Sequence, residues 1–340
     1  MHEIIESIRA RAALLHKRIA LPETDDARTL QAARKGAGAG LAEIVLVGSP
    51  EHISHRAREL KLRLPALEIV DPEDPETRER FAAAYLEARQ AKGATEEEAW
   101  ERVADPLTAA ACMLRLGEAD GSAAGACHST AETLRPLLRV VGLQPGISVV
   151  SSCFIMTTPA VTMGEKGVFI FADAGVVPQP TAEQLADIAI TAAQSAALYL
   201  ECEPRVAMLS FSTKGSACHP DVDKVVEATA LAQAKAPKLL IEGELQGDAA
   251  LVPELAKSKA PGDRLRGRAN VLIFPDLDAG NIAYKLVQRL TGGEAYGPLV
   301  QGLGRAGMDL SRGASVDEIT NVVAIAALRA QKLEELAVGS

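Results

Sequence analysis

The chain has 340 residues, 48% of them hydrophobic and 24% charged, and a formal net charge of −9. That length predicts two domains, and the composition is that of an ordinary globular protein. The acidic balance argues against a nucleic-acid partner, and no apolar run reaches the roughly 18 residues needed to cross a bilayer.

Met1-His2-Glu3-Ile4-Ile5 has neither a charged n-region nor an apolar h-region, so no signal peptide is expected. Short apolar runs then recur as candidate strands: 18–21, 44–47, 147–150, 168–171, 206–209, 238–241 and 271–274. Most are continuously apolar, as parallel strands covered on both faces should be. The turn-rich segment 142–146 marks a domain boundary. Thr181 and Gln184 form a capping box that opens an alanine-rich helix to about Leu200. Asp278 to Leu290 reads as another helix. A last one, from about Val316 to Leu336, carries an apolar stripe through Ile319, Val322, Val323, Ala326 and Ala330. The alternation predicts an α/β fold with mostly parallel sheets.

Cys112, Cys127, Cys153, Cys202 and Cys218 are scattered and include no Cys-x-x-Cys pair. This predicts reduced, buried thiols in a cytoplasmic protein and no metal site. Gly302-Leu303-Gly304-Arg305-Ala306-Gly307 fits G-x-G-x-x-G, but a further glycine turn follows it where a dinucleotide site needs a helix.

In open parallel sheets, ligands lie beyond the carboxyl ends of strands. Asp173, Ser210, Ser212, Glu242, Glu244 and Asp276 follow predicted strands and could line a cleft; turn chemistry and helix capping are the alternative. Ser129 and Glu132 form a capping box, so a helix begins there, and its free amides with Arg135 could hold an anion. The alternative is a capped surface helix with a solvated arginine. Asp309-Leu310-Ser311-Arg312-Gly313, followed by Asp317 and Glu318, gathers a hydroxyl, a guanidinium and carboxylates within a few residues. Arginine's planar donors match a phosphate face, and an acid can accept a proton. A lone Ser-Arg-Gly is also common in surface loops.

Longer motifs add up. They are Leu21-Pro22-Glu23 with Asp26-Ala27-Arg28-Thr29-Leu30, Ala104-Asp105-Pro106-Leu107, 209–216 and 243–246. The most specific is 269–277 with 279–286, and Gln301-Gly302-Leu303 and 309–313 close the series. In this order, nearly end to end, they resemble the phosphate acetyltransferases of the phosphate acetyl/butyryltransferase family. The resemblance implies two α/β domains like those of isocitrate and isopropylmalate dehydrogenases. Residues 1–146 and 298–340 would form the first domain and 147–297 the second, with the site in the cleft between them. It implies reversible acetyl transfer between acetyl phosphate and coenzyme A. Coenzyme A would be a substrate, with no resident cofactor or metal, in a homodimer.

The resemblance also implies roles. Arg312 would stabilise phosphate and the transition state, and Ser311 would hydrogen-bond the thiol or the acyl phosphate. Arg89 and Arg135 would contact coenzyme A or phosphate, and Ser129, Thr130, Asn281 and Lys285 would join the substrate contacts. The proton acceptor stays open between Asp317 and Glu318. The family usually has aspartate at the position of Glu318, which here also completes a capping box with Ser315. Ala306-Gly307-Met308, 174–180 and Gly247 also depart from the family pattern and put acyl-chain preference in question. A phosphate butyryltransferase-like enzyme and a non-catalytic acetyl-coenzyme A sensor are the alternatives.

Overall fold

The structure is a computed structural model that describes residues 2–338. Its strands are β1 (Arg18–Leu21), β2 (Glu43–Val47), β3 (Glu68–Val70), β4 (Gly121–Ala124), β5 (Ser151–Thr157), β6 (Val168–Ala172), β7 (Arg205–Leu209), β8 (Leu240–Leu245), β9 (Val271–Ile273), β10 (Ala295–Gln301) and β11 (Ala306–Asp309). The chain divides into two compact units, residues 1–144 with 303–340, and residues 145–302.

In the first unit a five-stranded sheet runs β11-β4-β1-β2-β3, and every pairing is parallel. Apolar residues fill β1 and β2, where Ile19, Ala20, Leu21, Leu46 and Val47 are buried. Each fully buried leucine or isoleucine contributes about 1.5–3 kcal/mol. The helices are delimited by local chemistry. Asp26, Asp74, Asp105 and Ser129 cap Ala27–Gly38, Pro75–Arg89, Pro106–Leu116 and Thr130–Val140 in turn. Proline occupies the first turn of two of them, where a missing N–H costs nothing. Helix Val316–Val338 packs on β4, β11, Glu3–Ala12 and Ala27–Gly38, burying the predicted stripe.

In the second unit a six-stranded sheet runs β10-β5-β6-β9-β7-β8. Its β6-β9-β7-β8 portion is parallel, and β10-β5-β6 is antiparallel. Helix Ala182–Leu200 begins at the predicted capping box and packs on β6 and β9. Its buried alanines allow close approach to the sheet. Aromatic contacts complete this core: Phe154 stacks on Tyr284 at 4.2 Å, and Phe171 lies 5.2 Å from Phe274.

One predicted strand is displaced. Residues 147–150 lie outside any strand, and the strand is β5, beginning at Ser151. Asp187 explains this, because its Oδ2 accepts from both the amide and the hydroxyl of Ser148, at 2.8 and 2.6 Å. The Gly302–Gly307 match ends inside β11, with no helix opening on its glycines.

Candidate active site

Three adjacent parallel strands, β11, β4 and β1, end side by side in the first unit. Ala124 at the end of β4 pairs in register with Asp309 at the end of β11. The segments that follow, 22–26, 125–129 and 310–315, therefore converge at one sheet edge, the end where α/β sheets hold ligands.

Glu23 organises this edge. It is 4% exposed. Its carboxylate accepts the amides of Gly125, Ala126, Cys127 and His128 at 2.8–3.2 Å, and its Oε1 lies 2.8 Å from His128 Nδ1. The loop after β4 is thus wrapped on one buried acid. Arg28 then ties that loop to the one after β11. It donates to the carbonyls of Ala126, Arg312 and Ala314 at 2.8–2.9 Å and grips Asp26. Partial burial pushes the Asp26 carboxyl up. Hydrogen bonds from Arg28 and Cys127 outweigh this and hold it at about 2. Lost hydration, together with Asp26, pushes the Cys127 thiol up to about 12, so it stays protonated at neutral pH.

Ser311 and Arg312 stand exposed on the tied loop. Ser311 accepts from Gly313 N at 3.3 Å, which leaves its hydroxyl hydrogen to donate. The Arg312 guanidinium has no hydrogen-bond or ion-pair partner among the described residues, while its carbonyl is anchored by Arg28. An exposed, unpaired fork of donors on an anchored backbone suits an oxyanion or phosphate.

Asp309 lies beneath this loop, 1% exposed. Its Oδ2 accepts from Thr130 Oγ1 at 2.7 Å, joining β11 to the first turn of helix Thr130–Val140. Its Oδ1 has no partner. Burial pushes the carboxyl up to about 6, against lowering by Thr130, Thr133 and the Leu310 amide. Gly125 makes this packing possible: at φ +111, a Cβ there would fall 2.4 Å from Asp309 Oδ1 and 2.7 Å from Leu310 N.

Ser129 forms the capping box with Glu132, its amide 2.8 Å from Glu132 Oε2. Arg135 lines a cavity of about 280 Å³ with His128, Glu132, Tyr85 and Arg139. Arg89 ends helix Pro75–Arg89, one turn beyond Tyr85. Both predicted acids already have partners. Ser315 N donates to Glu318 Oε2 at 2.7 Å in a capping box, and Asp317 pairs with Lys35.

The remaining predicted contacts belong to the second unit. Asn281 donates to the carbonyl of Ala174 at 3.0 Å, and the Lys285 ammonium lies 5.5 Å from the Tyr284 ring centroid. Of the polar residues expected after strands there, Asp173 and Asp276 serve their own turn and helix start, whereas Glu242 and Glu244 lie inside β8, which runs on to Leu245, and bond to the loop after β7. Asp173 accepts from Ser152 Oγ and from the amides of Gly175, Val176 and Val177. Glu244 accepts from Ser212 and Gly215, Glu242 from Lys214, and Asp276 caps helix Leu277–Thr291.

Glu23, Arg28 and Asp309 appear in the sequence motifs, but the sequence reading assigns them no role. The usable signal was position: Glu23 and Asp309 sit at the carboxyl ends of strands, where a buried acid needs partners.

The model of the phosphate acetyl/butaryl transferase family matches residues 3–327. A phosphate acetyltransferase of Acetivibrio thermocellus is 49% identical over 327 residues, 96% of this chain and 98% of its own length. Two solved phosphotransacetylases superpose. EutD of Staphylococcus aureus has a TM-score of 0.89 and 38% identity, covering 96% of this chain and 98% of its own. That of Streptococcus pyogenes has a TM-score of 0.91 and 37% identity, covering 97% and 98%.

Proposed function

The chain belongs to the phosphate acetyl/butaryl transferase family and is an acyltransferase, and we propose that it transfers an acetyl group reversibly between acetyl phosphate and coenzyme A. The observation that carries this at the level of residues is the Arg28-anchored loop, which presents Ser311 and an unpaired Arg312 at the carboxyl edge of the sheet.

The coenzyme A thiol loses its proton and its sulfur attacks the acetyl carbonyl. A C–S bond forms, the C–O bond to phosphorus breaks, and phosphate leaves. Arg312 stabilises the charge on phosphate and on the carbonyl oxygen, and Ser311 donates to the reacting group. The capping amide occupies Glu318 Oε2 and leaves Oε1 for the thiol proton, so Glu318 is the proposed acceptor, with Asp317 as its rival. Coenzyme A is a substrate, and the proposed chemistry calls on no resident cofactor or metal.

Arg89, Arg135, Ser129 and Thr130 are the proposed contacts to coenzyme A and phosphate, with Asn281 and Lys285 from the second unit. Arg135 has the best support, since it lines a cavity beside the helix N-terminus at Ser129. The cysteines form no disulfide among the described residues, though Cys127 and Cys218 are exposed where buried thiols were expected; this supports a cytoplasmic setting, and no helix among the described residues is long and apolar enough to cross a membrane. A homodimer is also proposed. Ile282, Leu286 and Leu290 form an exposed apolar stripe on helix Leu277–Thr291, at 57, 53 and 81% exposure, which a second copy would cover.

The test is thioester formation from coenzyme A with acetyl, propionyl and butyryl phosphate as donors. The highest kcat/KM is expected with acetyl phosphate; preference for butyryl phosphate would shift the assignment to the longer acyl group.

A further inference from the structure

His128 lies in the loop after β4, and imidazole exchanges its proton near neutral pH. Its ring is held at one nitrogen. Nδ1 is 2.8 Å from Oε1 of Glu23, whose side chain is 1% exposed, whereas that of His128 is 41% exposed. The same Oε1 accepts the amides of Cys127 and His128 at 2.9 and 3.2 Å. Amides only donate, so Oε1 is an acceptor and the proton it shares with the ring sits on Nδ1. Nε2 is then the nitrogen free for chemistry, and it has no partner among the described residues. A buried carboxylate that orients a histidine through Nδ1–H is an arrangement suited to general acid–base catalysis.

His128 lines the cavity of about 280 Å³ that also holds Arg135. Glu132, Arg135 and Arg139 face this cavity from the following helix. Tyr85, Arg102 and Asp105 face it from helix Pro75–Arg89, the end of helix Glu96–Arg102 and the cap of Pro106–Leu116. Glu132 is engaged with Ser129, Asp105 with Thr108, and Arg102 lies 3.8 Å from Glu98. Glu23 is thus the acid in bonding contact with the ring, and the arginines draw anions towards it. Two ties hold this loop against the one carrying Ser311 and Arg312. Arg28 donates to the carbonyls of both Ala126 and Arg312, and Thr130 donates to Asp309.

Acyl transfer from acetyl phosphate has a proton to place at the phosphate. The donor enters as a dianion, so phosphate departing without a proton would be a trianion, a poor leaving group. Glu318 is the proposed acceptor on the thiol side, and the phosphate side calls for an acid of its own.

We propose that His128 is that acid, protonating the departing phosphate through Nε2; the role rests on acyl transfer being the reaction. As sulfur attacks, the electron pair of the acyl C–O bond goes to the phosphate oxygen. The Nε2 proton moves to phosphate, and the N–H electron pair stays on Nε2. The proton that Glu318 took from the thiol returns to Nε2 through solvent. The sum is thiol plus acetyl phosphate dianion giving thioester plus hydrogen phosphate. In the reverse direction neutral Nε2 takes the proton from hydrogen phosphate as its oxygen attacks the thioester.

Steady-state kinetics of the full chain in both directions, from about pH 5 to 10, test this. Thioester formation uses the protonated ring, so kcat should fall as pH rises through the titration of His128. Acetyl phosphate formation uses the neutral ring, so kcat should fall as pH drops through it. His128→Asn can still donate to Glu23 through its amide but cannot titrate. Shown folded by its melting curve, it should lose about a hundredfold or more in kcat in both directions, with KM for coenzyme A changed by about twofold or less. The two opposed limbs should vanish with it, which a merely structural role would leave in place. His128→Gln brings an amide donor near the Nε2 position and should be as slow, because an amide gives up no proton. Near-normal turnover in His128→Gln would make the residue a phosphate contact and overturn the proposal. Near-normal turnover in folded His128→Asn, or both limbs retained there, would also overturn it. An inactive wild type would remove the reaction itself, whereas an active wild type with fully active variants removes this role alone.

Discussion

Asp309 and the pair Asp317-Glu318 show how environment assigns roles to chemically similar residues. Asp309 is buried and its carboxyl is pushed up to about 6, so the folded protein holds a proton there more tightly than the unfolded chain does. Below pH 4 both states are protonated and nothing is lost. Between pH 4 and about 6 only the folded state keeps the proton, so stability falls as pH rises, by roughly 2–3 kcal/mol, and is flat above. Urea unfolding of the wild type and Asp309→Asn across this window should differ by that slope. Parallel curves would show that Asp309 is not buried at this cost. For the acids, glutamine also completes a capping box, so Glu318→Gln should keep its melting temperature. As the proton acceptor, its loss should lower turnover about a hundredfold. Full activity in Glu318→Gln with a large loss in Asp317→Asn would move the role to Asp317.

The strands that were legible are those in which large apolar residues run together: β1, β2, β6, β7 and β9 all lie on predicted runs. Four strands escaped: β3 and β10, although they carry Ile69, Val70, Leu299 and Val300, and β4 and β11, which are built mostly from small residues. Gly121-Ser122-Ala123-Ala124 in β4 and Ala306-Gly307-Met308-Asp309 in β11 have no β-branched residue, yet both are buried. They are strands because neighbouring backbones approach closely, which composition does not reveal. This hid the geometry of the site, since β4 and β11 carry two of its three loops. Ser311 and Arg312 could be picked out by motif, but their anchoring by Arg28 depends on the unseen register. Gly125 belongs to the same hidden layer. Gly125→Ala should destabilise the protein by roughly 2 kcal/mol or more and reduce activity several-fold, since the added methyl meets Asp309 and Leu310 at a positive φ. Wild-type melting and turnover would mean the loop relaxes freely. Helix Leu277–Thr291 was legible as a helix, and its exposed stripe gives another check. Leu286→Glu should shift the mass in solution toward the monomer, whereas a dimer of unchanged stability would place the interface elsewhere.

At the scale of the whole molecule, the chain completes its first unit only when residues from 303 onward add β11 beside β4. The Ser311–Arg312 loop thus hangs on a pairing between residues far apart in sequence, a connection expected to form late in folding. The chain is acidic overall, at −9, yet the proposed reaction handles anions at every stage. Local cations must therefore do the binding, and Arg312 is the one left unpaired on the anchored loop. The most direct measurement is acetyl-phosphate-dependent formation of acetyl-coenzyme A by the wild type and by folded Arg312→Ala, side by side. Wild-type turnover with a loss of about a hundredfold or more in the variant is the predicted result. No thioester from the wild type, or near-equal turnover by the two proteins, would contradict it.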